Sequence, residues 1–389
     1  MLMREHIVII GGGGTGAALA HDLALRGFKV SLFEKGELLS GTTGRHHGLL
    51  HSGARYAVHD PAAARECIAE NRILRRIATD AIEPNDGLFV AVGESDMTYK
   101  EVFLNNCNTC GIPTKILSPA TARAIEPALN ADLKLAVQVP DATMDAWRLP
   151  LQFFASAKAN GAEVHPYSEV IDIQTRSDSV CGVKILDHQT HREYDVPSDV
   201  VVIAAGTWSG HLAKILDIHI PIQPGPGVMV AVEARLTHMV INRLQPAGQG
   251  DIIVSQRNLS ILGTSLWLAE DPDITDIPQD HIQKMIDRCA AMVPAVKHTP
   301  VHSAWVAARP LIAGADADYP QMLSRTFECY DHGIRDNIEG LFSIIGGKTT
   351  TMRAMAEKTA DLICRKLGKD IPCKTKETKL LHYRHFYKK

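Results

Sequence analysis

The first thirty-five residues constrain the fold more than any other part of the chain. Ile7–Ile10 is a short, β-branched apolar run, and Gly11-Gly12-Gly13-Gly14-Thr15-Gly16 follows it directly. A helical pattern comes next, with Leu19 and Leu23 on one face, Ala20 and Ala24 beside them, and Gly27 as a stop. Phe28–Phe33 then reads as a second strand, ended by Glu34. Strand, glycine turn, helix and strand together predict a βαβ unit and hence a parallel sheet. The spacing Gly11-x-Gly13-x-x-Gly16 has a physical logic. The first glycine permits a tight turn, the second lets backbone approach a pyrophosphate, and the third lets helix and strand pack closely. Gly14 and Thr15 complete the loop, whose helix start offers free N–H groups to phosphates. Glu34 stands eighteen residues after Gly16, at the end of the second strand, where a carboxylate can accept from ribose hydroxyls. A ligand-free glycine turn would need neither the second strand nor the acid, so a dinucleotide site is expected.

FAD and NAD share this fingerprint. No second GxGxxG is present for a separate nicotinamide domain, whereas Gly346-Gly347-Lys348 forms another turn at the start of a helical stretch, Thr350 to Leu367. A helix amino terminus at a flavin's pyrimidine edge would stabilise the anionic reduced form. The residues therefore favour FAD.

The 389 residues suffice for two domains, and 41 Lys+Arg against 44 Asp+Glu leave no field that would recruit nucleic acid. No apolar run approaches the ~18 residues of a membrane span. Met1 to His6 lead straight into the first strand without a secretory apolar region. The eight cysteines are scattered and read as reduced thiols, which points to the cytoplasm. Cys107 and Cys110 look like half a metal motif, but no second pair completes it, so no metal is expected. Two more strand-then-glycine turns occur at Val200–Ala204 and Leu341–Ile345, so the nucleotide-binding domain should be assembled from separated segments.

Residues 40–56, SGTTGRHHGLLHSGARY, are too rich in hydroxyls, glycines, His and Arg for a core strand, and suit a loop wrapped around a polar ligand. Here the chain closely resembles the FAD-dependent glycerol-3-phosphate dehydrogenases, nearest to the catalytic A subunit of the anaerobic enzyme. The stretches that carry the resemblance run through the whole chain in order: GGGGTG, TTGRHHGLLHSGARYAVHD, ARECIAENRILRRIA, EPNDGLF, VPDATMDAWRL, VVIAAGTWS, ARPLI, LSR and GGKTTTMRAMAEKTADLICRKLG.

The resemblance implies an α/β fold of the D-amino-acid-oxidase type: a discontinuous Rossmann-like FAD-binding domain with a mixed-sheet α+β substrate domain. The first would comprise 1–79, 142–213 and 331–373, the second 80–141 and 214–330, with 374–389 as a basic C-terminal tail. It also implies roles for residues. Gly11, Gly13, Gly16 and Glu34 would hold the ADP half of FAD, and Thr42, Thr43, Arg45 and His46 would line its pyrophosphate and flavin. Val170, Ala205, Gly206, Gly346, Gly347 and Lys348 complete the cofactor set. Arg55, Tyr56, Arg309, Arg325 and Lys348 match substrate and phosphate contacts. His51 falls beside the flavin and is the candidate proton acceptor, because an ordinary imidazole titrates near neutrality.

The implied reaction is oxidation of sn-glycerol 3-phosphate to dihydroxyacetone phosphate. Arginines would bind the phosphate, and Lys348 would support developing negative charge. Pro226-Gly227 stands where the family tends to carry Lys-Gly, which keeps open a 2-hydroxy acid or another polyol phosphate as substrate. A non-catalytic flavin electron-transfer subunit is a more distant alternative. The chain ends before the family's cysteine-containing extension, so electrons are expected to pass to quinone, dioxygen or a separate acceptor subunit. The tail has six cations, a single acid, Glu377, and Tyr383, Phe386 and Tyr387 among them. It reads either as a frayed, solvated end or as a peripheral contact with the inner face of the cell membrane or with an acceptor subunit.

Overall fold

The computed structural model describes residues 4–248, 250–313 and 326–388. Strand β1 (His6–Ile10) is apolar from Ile7 onward because it is covered on both faces, and β2 (Lys29–Phe33) pairs with it in parallel. Helix α1 (Gly14–Leu25) connects them, with nearly every residue buried. A Cβ on Gly16 would collide with the carbonyl oxygen of Gly11, so only glycine lets α1 begin this close to β1. The six-stranded sheet runs Phe327–Asp331, Leu341–Gly346, Val200–Ile203, β1, β2, Glu163–His165. All its pairings are parallel except that of Phe327–Asp331 with Leu341–Gly346. Sheet pairing thus assembles one layer from distant parts of the chain. It also claims Phe327–Tyr330, which the expected boundaries place in the other unit.

A second, eight-stranded sheet is mixed. Its order is Val301–Ile312, Ile222–Val232, Leu259–Gly263, Ile252–Gln256, Val240–Arg243, Gly87–Ala91, Leu135–Val139, Lys115–Leu117. The Val240–Arg243 and Gly87–Ala91 pair is parallel and the others are antiparallel. Ile222–Val232 holds Pro224 and Pro226, residues that normally argue against an interior strand. Their carbonyls face the 265–269 segment, accepting from the N–H groups of Ala269 and Trp267 at 3.1 and 3.2 Å. The missing N–H groups therefore leave the other edge, paired with Val301–Ile312, intact.

The tail corrects the expectation of a frayed end. Leu380 N–H donates to the Ile77 carbonyl at 2.9 Å, and Leu381 N–H donates to the Ser156 hydroxyl at 2.9 Å. Lys158 Nζ donates to the Phe386 carbonyl, and the Phe386 ring lies 6.0 Å from that of Phe154. Tyr383 and Phe386 pack on the core beside helix Arg148–Ala159, whereas Tyr387 is exposed. Two of the three rings counted as a membrane anchor are thus already used inside the protein.

His21 lies on α1, fully buried against Phe153, and neither ring nitrogen has a hydrogen-bond partner. Burial alone pushes its pKa down to about 4. The folded state therefore binds fewer protons than the unfolded state between that value and the ordinary ~6.5. His21 leaves stability intact above pH ~6.5 and withdraws up to ~3 kcal/mol as pH falls through that window. In urea unfolding followed at neutral and at acid pH, His21→Leu is expected to flatten this acid limb. An unchanged difference between the two pH values would remove His21 as its cause.

Candidate functional site

A cavity of about 760 Å³ runs along the carboxyl ends of the parallel strands, the place where open α/β sheets bind ligands. It extends from Glu34, just beyond β2, to Gly346 at the end of Leu341–Gly346, three strand spacings or about 14 Å away. Gly11, Gly13, Gly14 and Thr15 line it at the start of α1. The Glu34 carboxylate accepts from the N–H groups of Gly12 at 2.7 Å and Gly36 at 2.9 Å, which fixes the turn that it borders. Gly16 lies beneath the turn and does not line the cavity. Thr42, Thr43, Arg45, His46, Val170, Ala205, Gly206, Gly346, Gly347 and Lys348 all line it. Sequence reasoning misses Lys35, Glu169, Trp208, Met229, Thr264 and Met355, also in the lining. Nothing in their local pattern marks them, because they reach the cavity only through the tertiary fold.

The loop that bears the hydroxyls and His residues is held from several sides. The Thr43 hydroxyl accepts from Gly14 N–H at 3.0 Å. Thr42 Oγ1 donates to the Ala308 carbonyl at 2.6 Å. Trp147 Nε1 donates to the Gly44 carbonyl at 3.2 Å and Trp305 Nε1 to the Arg45 carbonyl at 2.6 Å, while Trp208 closes against Gly41. Gly48 N–H donates to His46 Nδ1 at 2.9 Å, and burial pushes the His46 pKa down to about 4, so its imidazole is neutral at ordinary pH. The glycine turn, the helix start, the acid beyond β2 and the length of the cleft suit an extended dinucleotide, with backbone donors for its diphosphate.

His51, Arg309 and Lys348 all line the same cavity, and Gly346 lies in its lining next to Lys348 in sequence. His51 is nearly buried; its N–H donates to Thr350 Oγ1 at 3.2 Å, and its Nε2 lies 3.4 Å from the Tyr56 hydroxyl. Lys348 Nζ sits over the Tyr56 ring, 4.9 Å from its centre, a cation–π contact. Tyr56 is thus a wall behind His51 and Lys348 rather than part of the lining. Arg309 projects from Val301–Ile312, and its guanidinium donates to the carbonyls of Gly225 at 3.1 Å and Ser265 at 3.3 Å and to the Thr264 hydroxyl. A Cβ on Gly227 would lie 2.6 Å from Arg309 Nη1, so the glycine of the Pro226-Gly227 pair makes room for that guanidinium. Pro226 itself is buried in its strand opposite Ala308 and does not line the cavity.

Arg55 departs from expectation. Its Nη2 donates to Asp251 at 2.6 Å and to the Gly248 carbonyl at 2.8 Å, and it is not among the lining residues. Burial opposes both charges, but the pair overrides it: Asp251 is held below the usual carboxylate range and Arg55 is raised. The reason for the correction is this buried acid, 196 residues away in sequence, which neutralises the cation behind the site. Arg325 lies outside the described residues.

Comparison with known proteins agrees with this geometry. The family described as FAD dependent oxidoreductase matches residues 6–362. The chain is 42% identical to the A1 subunit of the anaerobic glycerol-3-phosphate dehydrogenase of Haloferax volcanii, covering 98% of this chain and 67% of that protein. It is 39% identical to the A subunit of the anaerobic enzyme of Escherichia coli K12, over 96% of this chain and 69% of that one. Among solved structures, the glycerol-3-phosphate dehydrogenase of Bacillus halodurans complexed with FAD superposes with a TM-score of 0.76 at 24% identity, covering 97% of this chain and 68% of that one. Glycine oxidase of Geobacillus kaustophilus superposes at 0.77 with 21% identity, over 97% and 99% of the two chains. At such identities the superpositions speak for the fold alone. The family match and the relatives aligned over nearly all of this chain carry the assignment: the chain belongs to the FAD-dependent oxidoreductases, in the group of the anaerobic glycerol-3-phosphate dehydrogenase A subunits, and its cofactor is FAD.

Proposed function

We propose that the protein oxidises sn-glycerol 3-phosphate to dihydroxyacetone phosphate. The observation that carries this reading is that two cations, Arg309 and Lys348, and an imidazole, His51, line the cofactor cavity. Two relatives, 42% and 39% identical to this chain, are named for the same substrate. FAD, held along the Gly11–Thr15 turn and the Thr42–His46 loop, would supply a two-electron acceptor, its N5, for the hydride leaving the substrate's C2. The chain does the rest. Arg309, whose fork is fixed by Gly225, Thr264 and Ser265, holds the phosphate dianion. Lys348 carries the second positive charge and opposes the charge that builds up as the C2 hydroxyl gives up its proton. His51 takes that proton, with Thr350 fixing its backbone and Tyr56 beside its Nε2.

With Arg55 neutralised by Asp251, we assign phosphate binding first to Arg309 and Lys348. The 2-hydroxy acid alternative rested on Pro226, and loses that support because Pro226 lies outside the lining. Electrons leave to an external acceptor, a partner subunit or quinone. Among the described residues, no helix is long and apolar enough to cross a membrane. Contact with an anionic membrane surface would use the exposed Lys374, Lys379 and Lys388, not the packed aromatics. The test is anaerobic bleaching of the flavin's visible absorption. sn-Glycerol 3-phosphate is expected to bleach it, while glycerol and 2-hydroxy acids leave it yellow. Bleaching by a 2-hydroxy acid with no response to any polyol phosphate would overturn the reading.

A further inference from the structure

The loop at the cofactor and the strand at the substrate are joined at two points. Thr42 and Arg45 line the FAD cavity. Thr42 Oγ1 donates to the carbonyl of Ala308, one residue before Arg309, at 2.6 Å. From the same strand, Trp305 Nε1 donates to the carbonyl of Arg45, also at 2.6 Å. The two bonds run in opposite directions: one donor belongs to the loop, the other to the strand. Between them they fix the loop's position along Val301–Ile312, as a single contact would not. The strand's other edge is paired with Ile222–Val232, whose Gly225 accepts from Arg309. Movement of residues 42–45 would therefore be felt at Ala308 and at the Arg309 fork.

We propose that Thr42 and Trp305 form a latch that couples FAD binding to anion binding at Arg309. FAD orders the loop, the latch transmits that order to the strand, and the guanidinium is held where a phosphate meets it. The proposal rests on the reading above that Arg309 binds the anion. Coupling of this kind is reciprocal, so an anion at Arg309 must tighten FAD binding by the same factor. Thr42 and Trp305 act here through Arg309, as positioning residues. Direct attraction or repulsion between a bound anion and FAD would also couple the two ligands, but it would not depend on an indole N–H outside the cavity.

The experiment uses the holoprotein. The FAD dissociation constant is measured by flavin fluorescence on dilution, with and without saturating inorganic phosphate. For the unaltered protein, phosphate is expected to tighten FAD binding about 5- to 10-fold, within the usual range of such couplings. Trp305→Phe keeps an aromatic ring and deletes the donor, and Thr42→Val keeps the shape and deletes the hydroxyl. Each is expected to bring the factor below about 2, whatever it does to FAD affinity without phosphate. A factor that survives intact in both variants would overturn the latch. Arg309→Met separates the two claims. If phosphate still tightens FAD binding in that variant, the anion is not held by Arg309, and the functional reading fails together with the latch. If the effect needs Arg309 but ignores Trp305 and Thr42, the latch alone fails.

Discussion

Arg353→Met is expected to lower stability by about 3–5 kcal/mol, the scale for leaving a buried charge without its partner. Arg353 is among the largest fully buried side chains, and its guanidinium donates to Glu70 at 2.5 and 2.7 Å. It also meets Glu357 at 2.8 Å and the Thr375 hydroxyl at 2.9 Å. These bonds tie helix Pro61–Ile77, helix Met352–Lys366 and the tail to one another. The double variant Glu70→Leu/Arg353→Met removes both buried charges and should recover much of the loss, since a buried pair is often worth little against apolar replacements. Glu357 keeps Lys376 at 2.9 Å in either case. Urea unfolding with FAD in excess measures both variants. If the double variant is no better than the single one, the loss comes from packing rather than from the stranded carboxylate.

Arg309→Met should raise the barrier to flavin reduction by sn-glycerol 3-phosphate by about 2–3 kcal/mol while leaving FAD content normal. Methionine fills the volume beside Gly227 but cannot pair with a phosphate. Stopped-flow reduction under anaerobic conditions reads the effect directly. The loss should be much smaller with a substrate that lacks the phosphate, because there is then no dianion to leave unpaired. Equal losses with and without the phosphate, or unchanged kinetics, would make Arg309 a structural residue.

The glycine turn and its acid were legible because their geometry is local. The turn from Gly11 to Gly16 and the acid at Glu34 each act within one βαβ unit, where spacing determines geometry. The residues that the resemblance adds, from Thr42 to Lys348, line the same cleft as Gly11 and Glu34, apart from Arg55 and Tyr56 behind it, while Gly16 lies beneath it. The substrate half depends on distant partners. Arg55 reads as an anion binder until Asp251 is brought against it, and nothing near Arg55 announces that acid. Pro224 and Pro226 argue locally against a strand, yet they sit in one of eleven residues because the prolines' missing donors face the looser edge. The tail looks solvated because of its charge, while Tyr383 and Phe386 lie against a helix more than two hundred residues earlier. In each case the deciding partner is tertiary.

Three of the four tryptophans, 147, 208 and 305, surround residues 41–45 at the edge of the FAD cavity. Indole emission overlaps flavin absorption, so these rings are natural energy donors to a cofactor bound beside them. The protein thereby carries its own optical gauge. Ultraviolet-excited emission should be dim when FAD is in place and brighten as it leaves, with no substrate, acceptor or added label required. A variant that has lost its chemistry but kept its cofactor will stay dim, and one that has lost the cofactor will glow.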